Sequence, residues 1–104
     1  MIRIGRLRRD RGFSVARPTA LGNPFDVATF GRDETIARYR VAFPQLLETA
    51  AGAAQFARLL AAAREGDVTL LCWCAPLPCH ADVIAEALRA RLTPNEVEPG
   101  CLHT

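Results

Sequence analysis

The chain has 104 residues, half of them apolar and 23% charged, with a formal net charge of +2. That leaves room for one domain with a modest core and is too apolar for a disordered chain. The charge is too small to argue for nucleic-acid binding by itself. Gln55 and Arg58 interrupt the Ala-rich stretch Ala50 to Ala63, so no run approaches the ~20 apolar residues of a membrane span, and Met1 to Arg6 lacks the apolar core of a secretion signal. A cytoplasmic domain with no membrane partner is expected.

In chain order, Ile2 to Leu7 and Phe13 to Ala16 read as short strands, and the turn Arg9-Asp10-Arg11-Gly12 between them predicts a hairpin. Arg17 to Phe30 reads as a loop, punctuated by Pro18, Gly22 and Asn23-Pro24 and closed by Gly31. Asp33 is expected to cap a helix whose stripe is Ile36, Tyr39, Arg40 and Phe43, ended or kinked at Pro44. A second helix, Gln45 to Arg64, is interrupted at Gly52 and stopped by Gly66. The continuous apolar run from Val68 to Cys74 predicts a buried central strand. After the loop Ala75 to Pro78, a helix is expected to start at Cys79 or His80 and run to about Leu92.

The order predicts an α/β protein: a small Rossmann-like layered fold, with a short central sheet flanked by helices, over residues 1–92. Residues 93–104 are expected to form a loosely ordered tail. Three strands make a thin sheet, so a homodimer that covers it is expected.

All thirteen basic residues are Arg, which removes mechanisms that need a lysine amine. Of four Cys, three fall within eight residues: Cys72, Cys74 and Cys79. Without an export signal the thiols stay reduced, so the cluster points to metal binding or to chemistry rather than to a disulfide framework.

Strand alternation puts Cys72 and Cys74 on one face and Trp73 on the other. Cys79 falls where the next helix begins, and free amide groups there stabilise a thiolate. Three readings follow. Cys79 is a nucleophilic or redox-active thiolate, with Cys74 as resolving thiol, His80 as acid or base and Asp82 orienting His80 or complementing the helix start. Alternatively Cys72, Cys74, Cys79 and His80 ligate zinc, although four ligands in one nine-residue arm is unlike the usual two-armed site. The third reading is packing, which suits Cys72 inside its strand. Cys101 and His103, in the tail, are read as incidental.

Arg17-Pro18-Thr19-Ala20-Leu21-Gly22-Asn23-Pro24-Phe25, the helix Ile36-Ala37-Arg38-Tyr39-Arg40 and Cys72-Trp73-Cys74-Ala75-Pro76-Leu77-Pro78-Cys79-His80-Ala81-Asp82 together resemble the family called domain of unknown function 4326, over roughly Phe13 to Leu92. The resemblance implies a bacterial or bacteriophage protein in which Arg17, Asn23, Cys74, Cys79, His80 and Asp82 belong to one site. A fainter similarity links the strand-to-helix segment to domain of unknown function 488, with Cys74 where that family has Glu and Ala81 where it has Arg.

Arg17 and Arg32 border the Gly-Asn-Pro loop and suit a phosphate or carboxylate. The expected function is an enzyme, a cysteine-dependent transferase or hydrolase, acting on a small anionic or nucleotide-like ligand. Arg17, Asn23 and Arg32 would orient that ligand. The alternatives are a zinc-binding structural or interaction module, and a phage-type accessory protein whose five cations Arg3, Arg6, Arg8, Arg9 and Arg11 bind nucleic acid or whose surface binds a host protein.

Overall fold

A computed structural model describes residues 1–75 and 77–92. The tail, with Cys101 and His103, lies outside the described residues. The architecture is a small α/β fold: a parallel three-stranded sheet with four helices. Strands β1 (Ile2–Arg6), β2 (Phe13–Ser14) and β3 (Val68–Cys72) stand in the order β1-β3-β2, with β3 central and both neighbours parallel to it. Among the described residues no helix is long and apolar enough to cross a membrane.

The expected hairpin between β1 and β2 does not form, because β3 takes the place between them. Its run Val68, Leu70, Leu71 and Cys72 is buried, and a strand with no exposed face gains most from partners on both edges. Residues 7–12 therefore make a strap instead of a two-strand turn. Leu7 N–H donates to the Cys72 carbonyl, Arg9 and Asp10 N–H donate to the Arg6 carbonyl, and the Asp10 carboxylate accepts from Arg6 N–H. The strap crosses the sheet face that carries Gly5 and Thr69. At Gly12 the crossing is so close that a Cβ would sit 2.2 Å from the Thr69 carbonyl oxygen.

The opposite face, carrying Ile2, Ile4, Val68, Leu70 and Cys72, meets the main core. Three helices supply the rest of it. Helix α2 (Arg32–Leu46) contributes Tyr39 and Phe43, α3 (Ala50–Glu65) Phe56 and Leu59, and α4 (His80–Arg91) Ile84 and Leu88. Pro44 lies inside α2 without ending it. Falling in the last turn, it removes only one backbone donor near the helix end. The break expected at Gly52 moves to residues 47–49, where the Thr49 side chain caps α3 by accepting from Gly52 N–H.

The segment read as a loop holds a one-turn helix, α1 (Val27–Phe30), capped by Asp26. Gly31, at φ 81°, joins it to α2 in a conformation other residues rarely take. Arg40 pairs with Glu86, and Arg89 donates to the Ile2 carbonyl, so α4 is tied to both α2 and β1.

Gly12→Ala should destabilise the protein by about 1–3 kcal/mol, because overpacking against a backbone carbonyl moves the strap. A lowered urea midpoint with an unchanged m value is the expected reading.

Candidate functional site

The site sits where β3 ends and α4 begins. Cys79 is the N-cap of α4. Its sulfur lies 3.4 Å from Ala81 N–H, while the Asp82 carboxylate accepts from Cys79 N–H at 2.9 Å. This reciprocal cap is the helix-complementing role foreseen for Asp82. It places the Cys79 sulfur 2.9 Å from that of Cys72, the last residue of β3. The sulfurs of Cys72, Cys74 and Cys79 all lie within 4.8 Å of one another, a group able to hold a metal ion. The His80 ring stands outside that group.

The two closest sulfurs titrate as a unit. The Cys72 thiol is brought down to about 6, chiefly because Cys79 hydrogen-bonds to it, with help from the backbone N–H groups of Cys74 and Ala75 against the cost of burial. Cys79 is driven up by the neighbouring Cys72 sulfur and then by burial, against the helping N–H of Ala81. Cys72 is the readier of the two to ionise, and the first charge on the pair holds the second proton back.

His80, 6% exposed, is held by its Nε2, 2.6 Å from the Val15 carbonyl oxygen. A carbonyl only accepts, so Nε2 carries the proton and Nδ1 is the basic nitrogen. Burial above all, and then Arg17, push the imidazole below its ordinary value, while the Val15 bond and Asp82 act the other way. Tyr39 packs edge-on against this ring at 5.1 Å and donates to the Leu21 carbonyl at 2.7 Å. Burial and the Cys79 sulfur raise its phenol well above the usual range.

A cavity of about 150 Å³ opens here, lined by Arg17, Asn23, Arg32, Cys72, Cys74, Cys79 and His80 and walled by Phe25, Thr35 and Trp73. Asn23 accepts from Phe25 N–H, which shapes the loop at Pro24. Arg32 donates to the Pro78 carbonyl and ties α2 to the loop before α4. Arg17, which begins a cis peptide bond to Pro18, makes no hydrogen bond or ion pair among the described residues. The structure thus brings to one cavity the residues expected of an enzyme or zinc site, except Asp82, which stands behind it as the cap of Cys79; none of the five arginines from Arg3 to Arg11 lines it.

Across protein families, a model described as a domain of unknown function, number 4326, matches residues 3–90. The chain belongs to this family. The match contains all three motifs that face the cavity, and it extends further toward the N-terminus than the resemblance did, taking in β1 and the strap. No curated protein matched the chain, and no solved structure did.

Sequence reasoning missed Gln55 as a support of the site. Buried in α3, it accepts from Leu21 N–H and donates to the Ser14 carbonyl, so it holds both ends of the loop that carries Arg17. Its signal was a polar side chain beside Phe56 and Leu59 on an apolar helix face.

His80 predicts a pH effect on stability. The unfolded imidazole protonates near 6.5 whereas the folded one resists, so stability is full above that pH and falls as pH drops below it. Urea midpoints should decline from pH 7.5 to 5. The decline should be smaller in His80→Gln, whose amide still offers Val15 a donor.

Proposed function

We propose that this domain is a cysteine-dependent enzyme, a transferase or hydrolase, acting on a small anionic or nucleotide-like substrate. The observation that carries the reading is the meeting, in one cavity, of a thiol pair with a lowered first ionisation and the Arg17 guanidinium, which has no ion-pair partner among the described residues. The pair supplies one sulfur nucleophile near neutral pH, the two sulfurs sharing the remaining proton. Cys74, the least covered of the three thiols, is the resolving thiol for a covalent adduct. His80 offers an uncharged imidazole whose bare Nδ1 can act as a base, Asp82 positions Cys79, and Arg17, Asn23 and Arg32 orient the anion. The cavity lies past the C-terminal end of β3, where open parallel sheets usually bind ligands. A reducing, cytoplasmic setting suits free thiols.

Rates of iodoacetamide labelling against pH test this. The wild type should show a rise with an apparent pKa of about 6. In Cys72→Ser the rise should move to the ordinary thiol range, roughly 8.5. A wild-type rate that climbs only above pH 8 rules out the activated pair.

The sulfur geometry favours a second reading, a zinc site. Tetrahedral zinc with bonds of about 2.3 Å needs sulfurs about 3.8 Å apart, within the 4.8 Å that encloses the three. The Cys72–Cys79 contact at 2.9 Å would have to widen. Cys72, Cys74 and Cys79 would be the ligands, and His80, bound to Val15, would not. Protein purified without chelator would then carry about one zinc per chain by elemental analysis, lost in Cys74→Ser. A metal-free protein with the low-pH labelling limb supports the first reading.

A further inference from the structure

The cavity is too small to hold a whole ligand of the class proposed. Small-molecule sites commonly enclose ~300–1,000 Å³, against about 150 Å³ here. The remainder of a ligand must lie on the rim, and the rim has its own chemistry. Trp73, the sole tryptophan of the chain, walls the cavity yet is 50% exposed. The Arg8 guanidinium lies 5.6 Å from the centre of its ring.

Arg8 holds this place at φ 69°, among the described residues the one left-handed backbone outside glycine. The strap that carries it is pinned to the site on both sides, by Leu7 N–H on the Cys72 carbonyl and by the Arg6 guanidinium on the Ala75 carbonyl. The nearby carboxylate, Asp10, is already taken by Arg6 N–H and by Arg9. Neither Arg8 nor Arg17 has an ion-pair partner among the described residues. A half-exposed aromatic plane beside the Arg8 guanidinium, on a cavity that Arg17 also lines, matches a ligand with a flat π-faced part joined to an anion.

We propose that Trp73, Arg8 and Arg17 form a nucleotide-binding rim: a base stacks on the indole, and its phosphate meets the two guanidinium groups. This rests on the anionic-substrate reading above and names its class. Base stacking on aromatic side chains and charge-assisted bonds from Arg to phosphate are the usual means of holding such a unit. The unit is either a free nucleotide or one residue of a single strand.

Trp73 fluorescence reads the contact directly. Adenosine monophosphate and an eight-nucleotide single-stranded oligo(dA) are titrated separately into the full chain, at low and high salt. Quenching by at least one is expected, weakened by salt. Quenching by the oligonucleotide alone assigns the rim to single strands, and quenching by the monophosphate assigns it to free nucleotides. Arg8→Gly separates binding from folding, since glycine takes φ 69° freely and stability should hold or rise. Its affinity should nonetheless fall by roughly ten-fold.

No quenching by either probe, or quenching indifferent to salt and to Arg8→Gly, overturns the proposal. Quenching and thiol labelling are both measured on the wild-type chain, and each reads its own part of the site. Intact quenching with no acid limb in the labelling profile would therefore sink the thiol chemistry alone, and the reverse result would sink the rim alone.

Discussion

The buried imidazole of His80 donates to the Val15 carbonyl, and most of the site depends on that bond. It fastens the first residue of α4 to the chain leaving β2. Tyr39 closes over the ring from α2 and reaches the Leu21 carbonyl, while Gln55 from α3 takes Leu21 N–H and the Ser14 carbonyl. Three helices are thus anchored by side chains to one irregular segment. A buried loop without such partners would leave its peptide groups unsatisfied, at a cost of roughly 1–3 kcal/mol each. The same bonds that make the fold tolerable hold Arg17 and Asn23 at the cavity.

The thiol pair follows from a second constraint, the shared end of a strand and a helix. β3 delivers Cys72 with its sulfur toward the core, and the cap of α4 returns Cys79 to within 2.9 Å of it. Two buried sulfurs that close cannot both carry charge, so one ionises early and the other late. The helix start favours charge on Cys79, but the backbone N–H groups of the turn after β3 and the thiol of Cys79 itself favour Cys72.

The strap gives the N-terminal arginines a placement that a hairpin would not. In a hairpin they would lie beside β1 on a solvated edge. Crossing β3 instead carries them past its C-terminal end, where Arg6 reaches the Ala75 carbonyl and Arg8 lies over Trp73, a wall of the cavity. An arginine-rich start that composition alone explains as a preference for one cation becomes part of the site's surroundings.

Much of this protein was legible in one dimension because it rests on local patterns. The apolar run ending in Cys72 and Cys74 sets a buried strand, and the stripe Val83, Ile84 and Leu88 sets α4. The segment from Cys72 to Asp82 sets the site, and the composition sets a small α/β domain. What stayed hidden were distances between segments far apart in the chain. The insertion of β3 between β1 and β2 depends on which edges a central strand can satisfy. The close approach of Cys72 and Cys79 depends on how the turn after β3 is folded. The bond from His80 to Val15 spans 65 positions. Periodicity reports which side of an element is buried, but only packing decides which buried groups meet, because that choice minimises unsatisfied polar atoms over the whole chain at once.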